Sequence, residues 1–198
     1  MAPPCTEPSF CPSTLFLLGM RACGKTSLGR ALAERLGYAF IDTDELVRRE
    51  SGGLEVADIV RVEGWDGFRG REALALRAAA TPFTVVATGG GVVLSLSNRR
   101  FLRRSGVCVY MAAPVSVLSD RLRLDPAPAQ RPPLSAPDGA GTASLHPADD
   151  VETVMREREP LYREVAHHMV PAERSVADLV DLVSSLAEFP ARSGERSL

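Results

Sequence analysis

Short apolar runs alternate with stretches of helical spacing along most of this chain. Thr14-Leu15-Phe16-Leu17-Leu18 reads as a buried strand, and Leu28, Leu32 and Leu36 then fall at i, i+4, i+8, one face of a helix ending near Gly37. Ala39-Phe40-Ile41 leads into Asp42-Thr43-Asp44, after which Glu45 to Glu50 is helical up to Ser51-Gly52-Gly53. Glu55 to Val62 and Trp65 to Ala80 read as two further helices. Val85-Val86-Ala87 is a strand running into Gly89-Gly90-Gly91, Asn98 to Ser105 a helix stopping at Gly106, and Val107 to Met111 another strand. Pro114 suits the first turn of a helix reaching about Leu124. Asp149 to Glu159 reads as a helix interrupted at Pro160, Val165 to Val170 as a last strand, and Ser175 to Glu188 as a closing amphipathic helix.

This alternation predicts right-handed βαβ units, an α/β fold with a parallel sheet covered on both faces. Ligands of such sheets gather at the carboxyl ends of the strands. Three places in the pattern break it. Residues 1–13 are Pro-rich and read as a flexible arm. Asp125 to Pro147 is rich in Pro, Ala, Ser and Gly without periodicity, as in a mobile lid or a disordered insertion, and 190–198 read as a disordered tail. Residues 14–189 are therefore expected to form one domain.

Composition narrows the classes. With 45% apolar and 24% charged residues and a net charge of −2, the chain is of globular type, with no general pull toward nucleic acid or anionic membrane. No apolar run is long enough to span a bilayer, and the N-terminus lacks the pattern of a secretory signal. Cys5, Cys11, Cys23 and Cys108 show no CxxC pairing or disulfide framework, so a reducing cytoplasm is the expected compartment. His146, His167 and His168 have no metal-type spacing and read as non-catalytic.

The chemistry starts at Gly19-Met20-Arg21-Ala22-Cys23-Gly24-Lys25-Thr26, which fits G-x-x-x-x-G-K-[ST] between a strand and a helix. There, backbone N–H groups and the positive helix end surround an anion. Lys25 reaches the β- and γ-phosphates in this reading, and the Thr26 hydroxyl holds Mg²⁺. Lys25 is the sole lysine among 23 lysine and arginine residues, so the compact ammonium is reserved for this place. Cys23 is either a small residue tolerated in the loop or a thiol activated by the anion site.

The sheet geometry brings Asp42, Asp44 and the triple glycine to the same edge as this loop. On a strand-like backbone both carboxylates face the phosphates, one near Mg²⁺ and one taking a proton from an attacking hydroxyl; alternatively Asp44 caps the next helix. Three glycines let a backbone approach a ligand closely. Arg69 has Glu72 at i+3, either a solvated ion pair or a guanidinium held toward an anionic substrate beside Trp65 and Phe68. Arg163 is a similar candidate, and Arg131 could neutralise phosphoryl charge from a closing lid.

Together these stretches resemble the shikimate kinases, more closely the type II form. The matching residues are Gly19–Ser27, Phe40-Ile41-Asp42-Thr43-Asp44, Gly67-Phe68-Arg69-Gly70-Arg71-Glu72, Ala87-Thr88-Gly89-Gly90-Gly91, Arg131-Pro132 and Leu161-Tyr162-Arg163-Glu164-Val165-Ala166. The resemblance implies a three-layer α/β/α fold like the nucleoside monophosphate kinases, with a five-stranded parallel sheet, substrate-binding helices and a lid at about 125–147. It implies Mg²⁺- and ATP-dependent phosphorylation of the shikimate 3-hydroxyl. Under it, Gly19, Arg21, Cys23, Gly24, Lys25, Thr26, Ser27 and Arg121 serve the nucleotide, with Arg123 a rival for the adenine position. Lys25, Asp44 and Arg131 are catalytic, Thr26 and Asp42 assist at the metal, and Asp44, Phe68, Arg69, Gly90, Gly91 and Arg163 hold shikimate. The expected partner is this small molecule, without nucleic acid or membrane, for a monomer or alternatively a homodimer. The stretch after Arg131-Pro132 is longer and richer in Pro, Ala and Gly than the family pattern. A kinase of gluconate or of a nucleoside monophosphate, and a non-catalytic nucleotide switch, are the rival readings.

Overall fold

A computed structural model of the protein describes residues 13–124, 148–186 and 189–190. Five parallel strands form one sheet in the order β2-β3-β1-β4-β5. They are β1 (Thr14–Leu18), β2 (Ala39–Asp42), β3 (Thr84–Ala87), β4 (Val107–Ala112) and β5 (His168–Pro171). The helices are α1 (Lys25–Leu36), α2 (Thr43–Glu50), α3 (Val56–Ala79), α4 (Leu96–Ser105), α5 (Val115–Arg123), α6 (Val151–Val165) and α7 (Val176–Leu186).

The pleat of the central strand sorts the core into two layers. Leu15 and Leu17 point to the side where Leu28 and Leu32 of α1, Leu118 of α5 and Val183 of α7 pack. Phe16 and Leu18 point to the other, against Val47 of α2, Ile59 and Leu76 of α3, Leu102 of α4 and Tyr162 of α6. Both faces are covered, which is why β1 is an uninterrupted apolar run rather than an alternating one. The expected strands and helices are all present, but several details differ.

α2 starts at Thr43 because Asp42 caps it, its side chain accepting from the Asp44 N–H. Asp44 therefore stands in a first helical turn and not on a strand. The two helices expected around Trp65 are one run with a break at Gly64, whose φ of 70° and ψ of 177° are non-helical. Pro114 occupies the N-cap of α5 rather than its first turn. Pro160 does not interrupt α6, which continues to Val165. β5 consequently begins at His168, and a short 3-10 turn, Val92–Leu94, follows the triple glycine. The proposed arm (1–12 of it), the lid stretch with Arg131 and 191–198 of the tail lie outside the described residues.

Candidate active site

Residues 19–24 turn the chain from β1 into α1. The turn uses positive φ at Gly19 (144°), Ala22 (65°) and Gly24 (97°), of which Gly24 is the N-cap of α1. A glycine there brings no capping side chain, and the first turn carries no acidic residue. The N-terminal N–H donors and the positive end of α1 are thus kept for an anion. Lys25 Nζ lies over the loop, donating to the carbonyls of Gly19 at 2.9 Å and Met20 at 2.8 Å.

The neighbouring strand ends are tied to this loop by short polar contacts. Thr26 donates its hydroxyl proton to Asp42 Oδ2 at 2.8 Å. Thr88 Oγ1 donates to the Leu17 carbonyl at 3.0 Å, and the Gly89 N–H donates to Thr43 Oγ1 at 2.9 Å. The loop after β3 is therefore fixed to both β1 and the start of α2.

Across the cleft, α3 presents Arg69 and Glu72. Their ion pair is 2.7 Å long, with side chains 24% and 2% exposed. This is not the solvated pair that the spacing alone allows. The guanidinium lies over Trp65 at 5.3 Å and Phe68 at 5.4 Å, so its direction is set by two rings as well as by Glu72. Burial pushes the Glu72 carboxyl above its ordinary range; Arg69 opposes the rise and the Asp44 charge adds to it. The glycines make room for these groups. A Cβ at Gly89 would stand 2.7 Å from both Asp44 Oδ1 and Glu72 Oε1, and one at Gly91 would overlap the Arg69 guanidinium.

One cleft of about 790 Å³ joins the two halves. Of the residues singled out from sequence, Arg21, Gly24, Lys25, Thr26, Ser27, Asp42, Asp44, Phe68, Arg69, Gly90 and Gly91 line it. Gly19 and Cys23 do not. Cys23 turns inward, 1% exposed, with its sulfur 3.7 Å from Lys25 Nζ, so only its backbone can serve a phosphate. Arg121 lies beside the loop, donating to the carbonyls of Ala22 and Ala172 at 3.2 Å each, whereas Arg123 pairs with Asp120 and Asp149 on the surface. Arg121 is thus the one of the two that touches the phosphate loop.

Arg163 is a correction. It is half exposed and pairs with Glu159 at 2.6 Å, outside the cleft. Arg158 stands there instead, 6% exposed, with Nη1 donating to the Gly90 carbonyl at 3.4 Å. The signal for it was available: Val154, Arg158 and Tyr162 form one buried stripe at i, i+4, i+8. Breaking the helix at Pro160 concealed that stripe.

The arrangement can hold a polyphosphate on one side and, on the other, a small anionic molecule facing Arg69, Arg158 and a carboxylate. Among the described residues no group of three or more His, Cys, Asp or Glu could hold a metal ion alone. A hydroxyl and one carboxylate, Thr26 and Asp42, suit a Mg²⁺ that draws its other ligands from phosphates and water.

Known proteins share this chain's features over most of its length. The family model described as shikimate kinase matches residues 21–187. Shikimate kinase 2 of Dickeya chrysanthemi is 47% identical over 178 residues, covering 89% of this chain and 97% of that protein. Its counterpart in Yersinia enterocolitica is 46% identical over 170 residues, covering 86% and 92%. A solved structure of shikimate kinase from Acinetobacter baumannii in complex with shikimate superposes with a TM-score of 0.76 at 33% identity, covering 87% of this chain and 90% of that one. Sequence and fold converge, and this chain belongs to the shikimate kinase family.

Proposed function

We propose that this protein transfers the γ-phosphoryl group of ATP to the 3-hydroxyl of shikimate, giving shikimate 3-phosphate and ADP. The observation that carries the reading is one cleft with an anion-ready helix N-terminus on one wall and, on the other, Arg69 tied to a carboxylate and lying against two rings. A hydroxylated ring carboxylate suits that second wall, because a guanidinium can donate to both oxygens of a carboxylate in parallel.

Each residue then has a separable task. The N–H groups of residues 19–27 and the Lys25 ammonium hold the phosphates and take up negative charge as it shifts toward ADP. Arg121 steadies the Ala22 end of that loop. Arg69 and Arg158 grip the substrate carboxylate, with Gly90 and Gly91 forming the floor and Phe68 an apolar wall. Asp44 orients the attacking hydroxyl and receives its proton as the new O–P bond forms and the bond to the ADP oxygen breaks. Thr26 and Asp42 would hold Mg²⁺, which would supply charge neutralisation to the phosphates. Arg131, outside the described residues, is proposed as the lid cation that meets the transferred group.

The protein is proposed to act as a cytoplasmic monomer, without nucleic acid or membrane partners. No helix among the described residues is long and apolar enough to cross a membrane. The test is ADP release with Mg-ATP and, in turn, shikimate, gluconate, CMP, AMP or no acceptor. Turnover is expected with shikimate alone; equal or greater turnover with another acceptor, or none with shikimate, would overturn the reading.

A further inference from the structure

The three glycines after β3 have no side chains, so their peptides keep their orientation only through outside partners. The Gly89 carbonyl accepts from the Val92 N–H at 3.2 Å and the Gly91 carbonyl from the Leu94 N–H at 3.0 Å, both within the 3-10 turn. Gly90 is held differently. Its carbonyl accepts from the Tyr162 hydroxyl and, more weakly, from Arg158 at 3.4 Å, and both donors come from α6.

Tyr162 is well placed to hold it. The side chain is fully buried and its ring stacks on Tyr110 with centroids 5.1 Å apart and planes 18° from parallel. A phenol has one proton to give and lone pairs to accept with. The proton goes to the Gly90 carbonyl, the same acceptor that Arg158 Nη1 reaches at 3.4 Å. Burial pushes the phenol well above its ordinary pKa, so that proton stays in place. Gly90 also abuts the phosphate loop: a Cβ there would be 3.4 Å from the Arg21 nitrogen and 3.7 Å from the Gly19 carbonyl oxygen.

We propose that Tyr162 is a positioning residue for the acceptor, its hydroxyl fixing the Gly90 peptide and the Arg158 guanidinium together. The assignment rests on the acceptor site proposed above. Removing the hydroxyl leaves the Gly90 carbonyl with only its longer bond to Arg158, so the peptide against which Arg158 rests is no longer fixed. The stacked ring, which fills core volume, is a different contribution and is left untouched by a change to phenylalanine.

The experiment is steady-state ADP release by the full chain, each substrate varied in turn, for the unchanged protein, Tyr162→Phe and Tyr110→Phe. Melting curves and circular dichroism run alongside. Tyr162→Phe is expected to raise the shikimate KM about tenfold, the scale of losing a hydrogen bond to a buried acceptor, while kcat changes less than about threefold and the ATP KM less than about twofold. Tyr110→Phe alters the same stack without touching Gly90 and is expected to leave the shikimate KM within about twofold, whatever it does to melting. An unchanged shikimate KM in Tyr162→Phe, beside shikimate-dependent turnover in the unchanged protein, would overturn this proposal alone. Equal KM changes in both variants would reduce Tyr162 to packing. Absence of shikimate-dependent turnover in the unchanged protein would overturn the functional reading and this proposal with it.

Discussion

A guanidinium lying against two adjoining rings and tied to a buried carboxylate has little freedom to re-aim. Arg69→Lys keeps the charge but loses the planar fork, so the shikimate KM is expected to rise with nucleotide affinity nearly unchanged. A loss of ~2 kcal/mol corresponds to roughly thirtyfold in kcat/KM. Arg163→Ala removes a half-exposed pair with Glu159 and a contact with the Met169 sulfur, both outside the cleft, and is expected to change kcat/KM less than about twofold. The reverse ranking, read from kinetics with each substrate varied, would restore Arg163 to the site. Glu72 gives a pH test. Its folded-state pKa is raised, so its contribution to stability is greatest below the ordinary glutamate value of about 4.3 and is lost as pH rises through the folded value. The urea midpoint of the unchanged protein should therefore fall relative to that of Glu72→Gln as pH rises above about 4.3. A relative rise would mean that attraction to Arg69 outweighs burial.

At the level of elements, α3 shows how one residue can divide a helix without ending it. Gly64 holds φ 70° and ψ 177°, a combination essentially limited to glycine, with nothing within 4 Å of where a Cβ would go. The cost of Gly64→Ala is thus backbone strain alone, about 1–3 kcal/mol. Gly70 is a helical residue with equally open space and no positive φ. Gly70→Ala is expected to stabilise by about 0.5–1 kcal/mol, and chemical denaturation of the pair distinguishes the two cases. Sequence separated the helices on either side of Gly64 but could not tell a kink from a loop, because spacing carries no φ. Pro160 misled for a related reason. It occupies the exposed side of α6, as does Arg156, whose carbonyl loses its helical N–H partner, while Val154, Arg158 and Tyr162 hold the buried side together. Propensity placed a break; packing overrode it.

For the whole molecule, strand alternation together with the sheet-edge rule was enough to put Lys25, Asp42, Asp44, Gly90 and Gly91 around one cleft. What the alternation could not show was side-chain direction. Cys23 points inward and Arg163 outward, and both facts depend on tertiary packing rather than spacing. Glu72, 2% exposed, gave the same pattern in sequence as any surface pair. The nucleotide half of the cleft is also a handle on global stability. A ligand that binds only the folded chain stabilises it by about 2.7 kcal/mol at one hundred times its Kd. Mg-ADP is accordingly expected to raise the melting temperature, and Lys25→Met to lose most of that rise at the same ligand concentration while melting normally without it. A full ligand-induced rise in the variant would take Lys25 out of the phosphate site.

Trp65 is the chain's one tryptophan, lines the cleft, and carries the Arg69 guanidinium over its ring and Phe68 edge-on at 6.0 Å. All indole emission therefore originates beside Arg69, at the proposed acceptor site. A carboxylate drawn to Arg69 alters the field across that ring, so shikimate titration should give a saturable change in fluorescence with no label attached. Trp65→Phe should abolish the signal, and Arg69→Lys should move its midpoint to higher shikimate concentration. A flat titration by a protein that turns over shikimate would mean that the acceptor binds out of range of the indole.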